Sequence, residues 1–175
     1  MGLINTVCFE PDGLTGANTD FTGFLKSYRT ARGDQIAGHV LLIGAGGVGR
    51  SIGFALTQLG ASALTILDTD QQKAARFAKA INQFMPGLAM VADLDELQAF
   101  DALVNCSPAG KHGYGGLPLP ETLIPPDFDW AFDAVYQPVE TPFRQMIEAR
   151  GIQFISGFEL FFHQGVDAFS IFTGS

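Results

Sequence analysis

Val40-Leu41-Leu42-Ile43-Gly44-Ala45-Gly46-Gly47-Val48-Gly49 reads as a buried parallel strand, a turn of small residues and the start of a helix opening at Val48. The glycines fall in a G-x-G-x-x-G spacing, and each answers a separate demand. Gly44 allows a tight turn, Gly46 lets a pyrophosphate approach the backbone, and Gly49 lets helix and strand pack closely. A diphosphate would rest on the free N–H groups and the positive end of that helix.

The spacing alone is weak, but its surroundings agree with it. Val48, Ile52, Ala55, Leu56 and Leu59 share one helical face, and Gly60 stands where the helix stops. A second apolar run, Leu64 to Leu67, ends in Asp68, the carboxylate expected to hold an adenosine ribose. Further along come a helix over Ala74, Phe77, Ala78 and Ile81, a strand at Leu88–Val91, a weak helix around Leu94–Phe100, and strands at Ala102–Cys106, Trp130–Tyr136 and Ile152–Ser156. Thr141-Pro142 opens another helix in the preferred way, and Gly151 ends it. Strands alternating with helices predict a Rossmann-like, doubly wound α/β fold, with a mainly parallel sheet and helices on both faces.

At 175 residues the chain has room for one domain with a substantial core and is too short for two full ones. No apolar run approaches the roughly 20 residues of a membrane span, and no signal-like segment opens it. The expected location is the cytoplasm, with no membrane partner. A net charge of −8 argues against nucleic acid. It also means that an anionic dinucleotide must be held by local backbone donors and a few placed cations. Cys8 and Cys106 read as buried free thiols, and His39, His112 and His163 are too scattered to form a metal site.

The first residues, Leu3 to Phe9 and Leu14 to Asn18, look like a hairpin cut from a larger sheet, with Glu10-Pro11-Asp12-Gly13 as its turn. The expected division is 1–18, a remnant of interdomain strands, and 19–175, the dinucleotide-binding domain, in a truncated or fragmentary protein. Asn18-Thr19-Asp20 then precedes a helical face of Phe21, Phe24, Leu25 and Tyr28. Any of the three polar residues could cap it, and on spacing alone Asp20 is a first-turn acid favoured by the helix dipole. The loop Ser107–Pro120 leaves the carboxyl end of a strand, the edge where ligands bind in such sheets. In the last helix, Phe158–Phe172, the face of Phe158, Phe162, Val166, Phe169 and Phe172 is expected to be buried, with His163, Gln164 and Asp167 turned away from it.

Taken together, the chain resembles the shikimate and quinate dehydrogenase family. The resemblance rests on Asn5-Thr6, Gly16-Ala17-Asn18-Thr19-Asp20, the glycine turn, Asn105 with Ser107-Pro108, Val135-Tyr136 with Thr141-Pro142-Phe143, and His163-Gln164-Gly165-Val166-Asp167-Ala168-Phe169. It covers almost the whole chain. It implies an NAD(P)-dependent oxidoreductase that reversibly oxidises a ring hydroxyl of shikimate, quinate or a related cyclic hydroxy acid. On that likeness Asp20 is the catalytic aspartate, while Asn5, Gln164 and Tyr136 contact the substrate. Gly44, Ala45, Gly46, Gly47, Val48, Gly49, Asp68, Asn105, Ser107, Pro108, Val135, Gly157 and Leu160 would bind the cofactor. The roles suit the chemistry, since oxidising an alcohol needs a base within reach of the hydroxyl proton.

The family's catalytic lysine and carboxylate-binding serines belong to a substrate domain that precedes the matched segment, and none of Lys26, Lys73, Lys79 or Lys111 sits in that motif. The fragment alone is therefore expected to be inactive, and a non-catalytic NAD-binding module is the alternative reading. Another family with the glycine turn, such as glutamyl-tRNA reductase or methylene-tetrahydrofolate dehydrogenase, fits the Asn18-Thr19-Asp20 and His163-Gln164 pairings less well. NADP-using relatives carry an Asn-Arg-Thr type of turn after the second strand. Asp68-Thr69-Asp70 stands there instead and would repel a 2′-phosphate, so NAD is expected over NADP. Arg50 is read as the nearest cation. The oligomeric state is not legible.

Overall fold

The computed structural model describes residues 3–174. Strands β1 (Thr6–Glu10) and β2 (Gly13–Ala17) form an antiparallel hairpin that pairs separately from the main sheet. Helix α1 (Thr19–Arg32) follows, and the choice among its three possible caps falls on Asn18, whose side chain accepts from the Phe21 N–H at 2.9 Å. The remaining elements are β3 (Gly38–Ile43), α2 (Gly47–Gln58), β4 (Ala61–Leu67), α3 (Gln71–Asn82), β5 (Ala89–Val91), β6 (Ala102–Asn105), β7 (Trp130–Asp133), α4 (Pro142–Ala149), β8 (Gln153–Ser156) and α5 (Gly157–Thr173).

Six strands form one parallel sheet in the order β5-β4-β3-β6-β7-β8. The chain winds outward from β3 to β5, returns to the middle, and winds outward again, so its direction reverses between β3 and β6. Ligands bind at such a switch point in open α/β sheets, beyond the carboxyl ends of the strands. The register makes those ends a single row: Leu67 pairs with Ile43, Ile43 with Asn105, Asn105 with Asp133, and Asp133 with Ser156. The residues just past this row are Asp68, Gly44, Cys106, Ala134 and Gly157.

One face of the sheet is covered by α1, α2 and α3, through Phe24, Tyr28, Ile52, Leu56, Phe77 and Ile81. On the other, α4 and the segment between β6 and β7 supply Phe143, Ile147, Leu119 and Ile124. Phe24 meets Phe132 edge-on at 4.9 Å and Tyr28 meets Trp130 at 5.1 Å, contacts worth about 0.5–1.5 kcal/mol each beyond their burial.

Three expectations are corrected. The helix expected over Leu94–Phe100 shrinks to a 3-10 turn at Leu94–Glu96, while Phe100 packs with Phe128 in the core on the α4 face. The strand expected over Trp130–Tyr136 stops at Asp133, because the Asp133 carboxylate accepts the Val135 N–H and turns the backbone off the ladder. The face of α5 is inverted: Phe158, Phe162, Val166, Phe169 and Phe172 are 46–65% exposed. The sheet beneath is already covered by α1, so α5 packs along α1 instead. That contact is set by Gly23, where an added Cβ would lie 3.0 Å from the Gln164 nitrogen and 3.2 Å from the Leu160 side chain. Lys26 and Thr22 of α1 both bond the Asp167 carboxylate, so Asp167 faces inward, opposite to expectation. Cys8 and Cys106 are free as expected, but only partly buried as residues.

The close approach of α2 to the end of β3 should be visible in stability. An alanine Cβ at position 49 would sit 1.9 Å from the Gly44 carbonyl oxygen, whereas one at position 47 meets nothing within 4 Å. Gly49→Ala is expected to destabilise by about 1–3 kcal/mol or more through overpacking. Gly47→Ala, at the first helical position, should be neutral or stabilising by up to about 1 kcal/mol. Urea denaturation of both variants checks the pair, and equal effects would contradict the packing role of Gly49.

Candidate functional site

Beyond the carboxyl ends of β3 and β6 the three motif glycines have three different surroundings. Gly44 has φ +99°, and an added Cβ would lie 2.7 Å from the Cys106 carbonyl, so here the glycine turn and the loop after β6 touch. Gly49 is pressed against Gly44. Gly46 is different, because the first atom its Cβ would meet is Lys73 Nζ at 4.0 Å. Nothing in the protein's own packing requires a glycine there, and a small residue facing open space leaves the backbone free for a ligand to approach. The α2 N-terminus has no side-chain cap at Gly46 and no acid in its first turn, so its N–H groups stay available to an anion. Arg50, one turn into α2, has a buried Nε with no hydrogen-bond partner. These features fit the diphosphate of a dinucleotide.

Asp68 stands where the sequence places a ribose-binding carboxylate, yet it is already engaged. Its Oδ2 accepts the Ala45 N–H at 2.7 Å and its Oδ1 the Asp70 N–H at 2.9 Å. Burial pushes its pKa up, but these two bonds and the Lys73 charge outweigh that and hold it below the ordinary carboxylate value. It therefore fixes the glycine turn while keeping lone pairs free for hydroxyls. A cation that the sequence reading left out, Lys73, lies at this corner, 3.7 Å from Asp68 Oδ2. The sequence held the signal: Asp70 caps α3 by accepting the Lys73 N–H, which sets Lys73 in the first turn, above the end of β4.

The loop Asn105–Pro108 is organised around a residue that sequence reasoning missed. Asp133 is fully buried, with no cation among its hydrogen-bond partners. It accepts from Asn105 Nδ2 at 2.9 Å, the Val135 N–H at 3.0 Å and Thr141 Oγ1 at 2.7 Å. Asn105 Oδ1 in turn accepts from the Ser107 N–H and Oγ, and Asn105 Nδ2 also reaches the Ala109 carbonyl. Burial pushes the Asp133 pKa up to about 6 against the lowering effect of its three donors. Gly157 closes this side, since a Cβ there would lie 2.5 Å from the Asp133 carbonyl oxygen. Val135 and Leu160 are both buried beside it.

Asn5 and Asp20 come together at the start of α1. Asn5 Oδ1 accepts from the Thr19 N–H at 2.9 Å and from the Thr19 and Thr6 hydroxyls. Burial raises the Asp20 pKa, with the Asn5 side chain pulling the other way through a hydrogen bond. Asn18 links this corner to the glycine turn, because its Nδ2 donates to Ser51 Oγ at 2.9 Å and Ser51 bonds the Gly47 carbonyl. Gln164 is partly buried on the α1-facing side of α5. Tyr136, 44% exposed, stacks on Phe161 with centroids 4.7 Å apart. Cys106 lies within electrostatic reach of both Asp133 and Asp20, and burial together with those two carboxylates pushes its thiol pKa far up. It is no nucleophile at neutral pH.

The pH dependence has a definite sign. The native state holds a proton on Asp133 up to about pH 6, whereas an unfolded aspartate releases it near 3.9. Asp133 therefore subtracts from stability progressively as pH rises through that window. Asp68 and Asp167, whose pKa values are lowered, add stability that is lost as pH falls below the usual carboxylate range. Relative to wild type, Asp133→Asn should become progressively more favourable between about pH 4 and 6, as read from denaturation midpoints. A constant difference would contradict the assignment.

No protein-family profile matches the chain. Individual relatives do. The shikimate dehydrogenase (NADP(+)) of Streptomyces avermitilis is 37% identical over 179 residues, 99% of this chain and 61% of the relative. The quinate/shikimate dehydrogenase (NAD(+)) of Corynebacterium efficiens is 34% identical over 181 residues, 99% of this chain and 63% of the relative. Among solved structures, quinate dehydrogenase from Corynebacterium glutamicum in complex with NAD superposes with a TM-score of 0.90 at 31% identity, covering 98% of this chain and 63% of that one. The chain thus spans about three fifths of the length of the relatives it matches. No helix among the described residues is long and apolar enough to cross a membrane. With the sheet order, the glycine turn and these relatives in agreement, the chain belongs to the shikimate/quinate dehydrogenase family and corresponds to its C-terminal NAD(P)-binding part.

Proposed function

We propose that this chain is the cofactor-holding part of a dehydrogenase that reversibly oxidises a ring hydroxyl of shikimate, quinate or a related cyclic hydroxy acid. The observation that carries it is Gly46, a motif glycine that faces open space at an uncapped helix N-terminus on the switch point. The nicotinamide, when bound, supplies the hydride acceptor. The chain's own residues do the rest. The α2 N–H groups hold the diphosphate, Asp68 the adenosine ribose, the loop Asn105–Pro108 with Val135, Gly157 and Leu160 the other half. Asp20 takes the hydroxyl proton, while Asn5, Gln164 and Tyr136 hold the ring. Burial suits Asp20 to this work, since a raised pKa brings it nearer the operating pH.

Residues 1–18 are read as interdomain strands. The exposed faces of Phe158, Phe162, Phe169 and Phe172 on α5 and of Ile4, Phe9 and Leu14 around the hairpin suit the docking of further protein, because scattered exposure rarely gathers so many large apolar groups. The relatives' additional two fifths is the natural occupant. A second reading, that the chain by itself binds NAD and does no chemistry, is favoured by its covering 61–63% of the relatives; hydride transfer above background by the 175-residue chain would refute it.

NAD is the preferred cofactor on this reading, because Asp68 and Asp70 both oppose a 2′-phosphate. Lys73 narrows the margin. Asp68→Ala should weaken NAD by about 1–3 kcal/mol and erode the preference over NADP, whereas Lys73→Ala should weaken NADP more than NAD. Calorimetry with both cofactors checks this, and unchanged selectivity in both variants would count against it. In a protein carrying the remaining part, Asp20→Asn should lower kcat by about 10²–10⁴-fold and abolish the acid limb of the pH–rate profile. That limb should lie above the ordinary carboxylate value because the Asp20 pKa is raised. Retention of both rate and limb would remove Asp20 from the chemistry.

A further inference from the structure

Asp133 is a carboxylate fully withdrawn from solvent, and apolar burial alone would disfavour it strongly. It is retained at the point where three separate pieces of the carboxyl edge meet. Its Oδ1 accepts from Asn105 Nδ2, at the end of β6, and from the Val135 N–H, in the segment after β7. Its Oδ2 accepts from Thr141, which simultaneously caps α4 by accepting the Arg144 N–H at 3.1 Å. Only an acceptor with two oxygens and several lone pairs satisfies all three donors at once. Asn105, oriented by Asp133, passes the constraint to the Ser107 N–H and hydroxyl. Among the described residues no comparable side-chain link joins Asp133 to the Gly44–Gly49 turn or to Asp68, which are joined to each other by the bond from the Ala45 N–H to the Asp68 carboxylate.

We infer that Asp133 is a positioning residue for the nicotinamide half of the site, holding the Asn105–Pro108 loop and the Val135 segment in the relative placement that half of the cofactor requires. It touches no substrate or cofactor itself. This rests on the dinucleotide reading above and deepens it by dividing the site into two halves with separate side-chain braces, Asp68 for one and Asp133 for the other, which meet through backbone where Gly44 lies against Cys106. A ligand confined to the adenosine and diphosphate side is indifferent to Asp133, whereas one that spans both halves is not. Asparagine is a poor substitute: its NH₂ group turned toward Thr141 leaves that hydroxyl's proton without its acceptor, and turned toward Asn105 Nδ2 and the Val135 N–H it sets donor against donor.

The test compares NAD with ADP, which lacks both the nicotinamide ring and its ribose, by calorimetry on the 175-residue chain. Wild type should bind both, NAD more tightly. Asp133→Asn should weaken NAD at least tenfold and leave ADP within twofold. Thr141→Ala, which removes one donor and one helix cap, should shift the NAD to ADP affinity ratio in the same direction by about threefold, and Thr141→Ser should restore it. This second pair decides the matter if Asp133→Asn fails to fold. A general structural role would weaken both ligands together, and an unchanged ratio in the variants would overturn the inference while leaving the cofactor reading intact. Failure of wild type to bind either ligand would overturn both.

Discussion

The structure depends on the contact between Gly49 and the Gly44 carbonyl. With an added Cβ only 1.9 Å from that oxygen, any side chain at position 49 would push α2 away from the end of β3. Because α2 sits directly against the turn, its first N–H groups open onto the edge of the sheet beside Gly46. Ser51, one turn along, then reaches both the Gly47 carbonyl and Asn18, which ties α1, and with it Asp20, to the same point. A single close approach thus fixes the uncapped start of α2 and the corner where Asn5 and Asp20 meet.

From that point the edge divides according to charge. Asp133 ends β7 and Asp68 follows the last residue of β4; Asp68 takes the Ala45 and Asp70 N–H groups, and Asp133 takes the Val135 N–H. Their environments push their pKa values apart: Asp68, with Lys73 beside it, is held low, and Asp133, without a cation, is pushed up to about 6. The first is suited to presenting negative charge to ribose hydroxyls. The second spends its acceptor capacity on three protein donors, Asn105, Val135 and Thr141, and its value lies in the geometry it imposes.

Much of this was legible in the sequence because it depends on local rules. The glycine spacing, the Asn18-Thr19-Asp20 and Thr141-Pro142 helix starts, and the alternation of strands and helices all act over a few residues. Legibility ended where a partner distant in sequence decides the outcome. The phenylalanines of α5 form a regular apolar face and were expected inside, but Gly23, far back in α1, draws the opposite face inward. Asp133 reads as one more residue inside the expected strand Trp130–Tyr136 until β6 and β7 are set side by side. Lys73 gains its meaning only when the end of β4 is placed beneath the α3 N-terminus.

The most direct measurement of the central claim is amide chemical-shift mapping of the isotope-labelled chain titrated with NAD. A dinucleotide seated across the switch point should perturb Gly44–Gly49 and Asp68–Asp70 together with Asn105, Ser107, Val135 and Gly157, leaving the hairpin tip and the amino-terminal ends of the strands unchanged. Perturbations absent from the glycine turn, or gathered on another surface, would contradict the account.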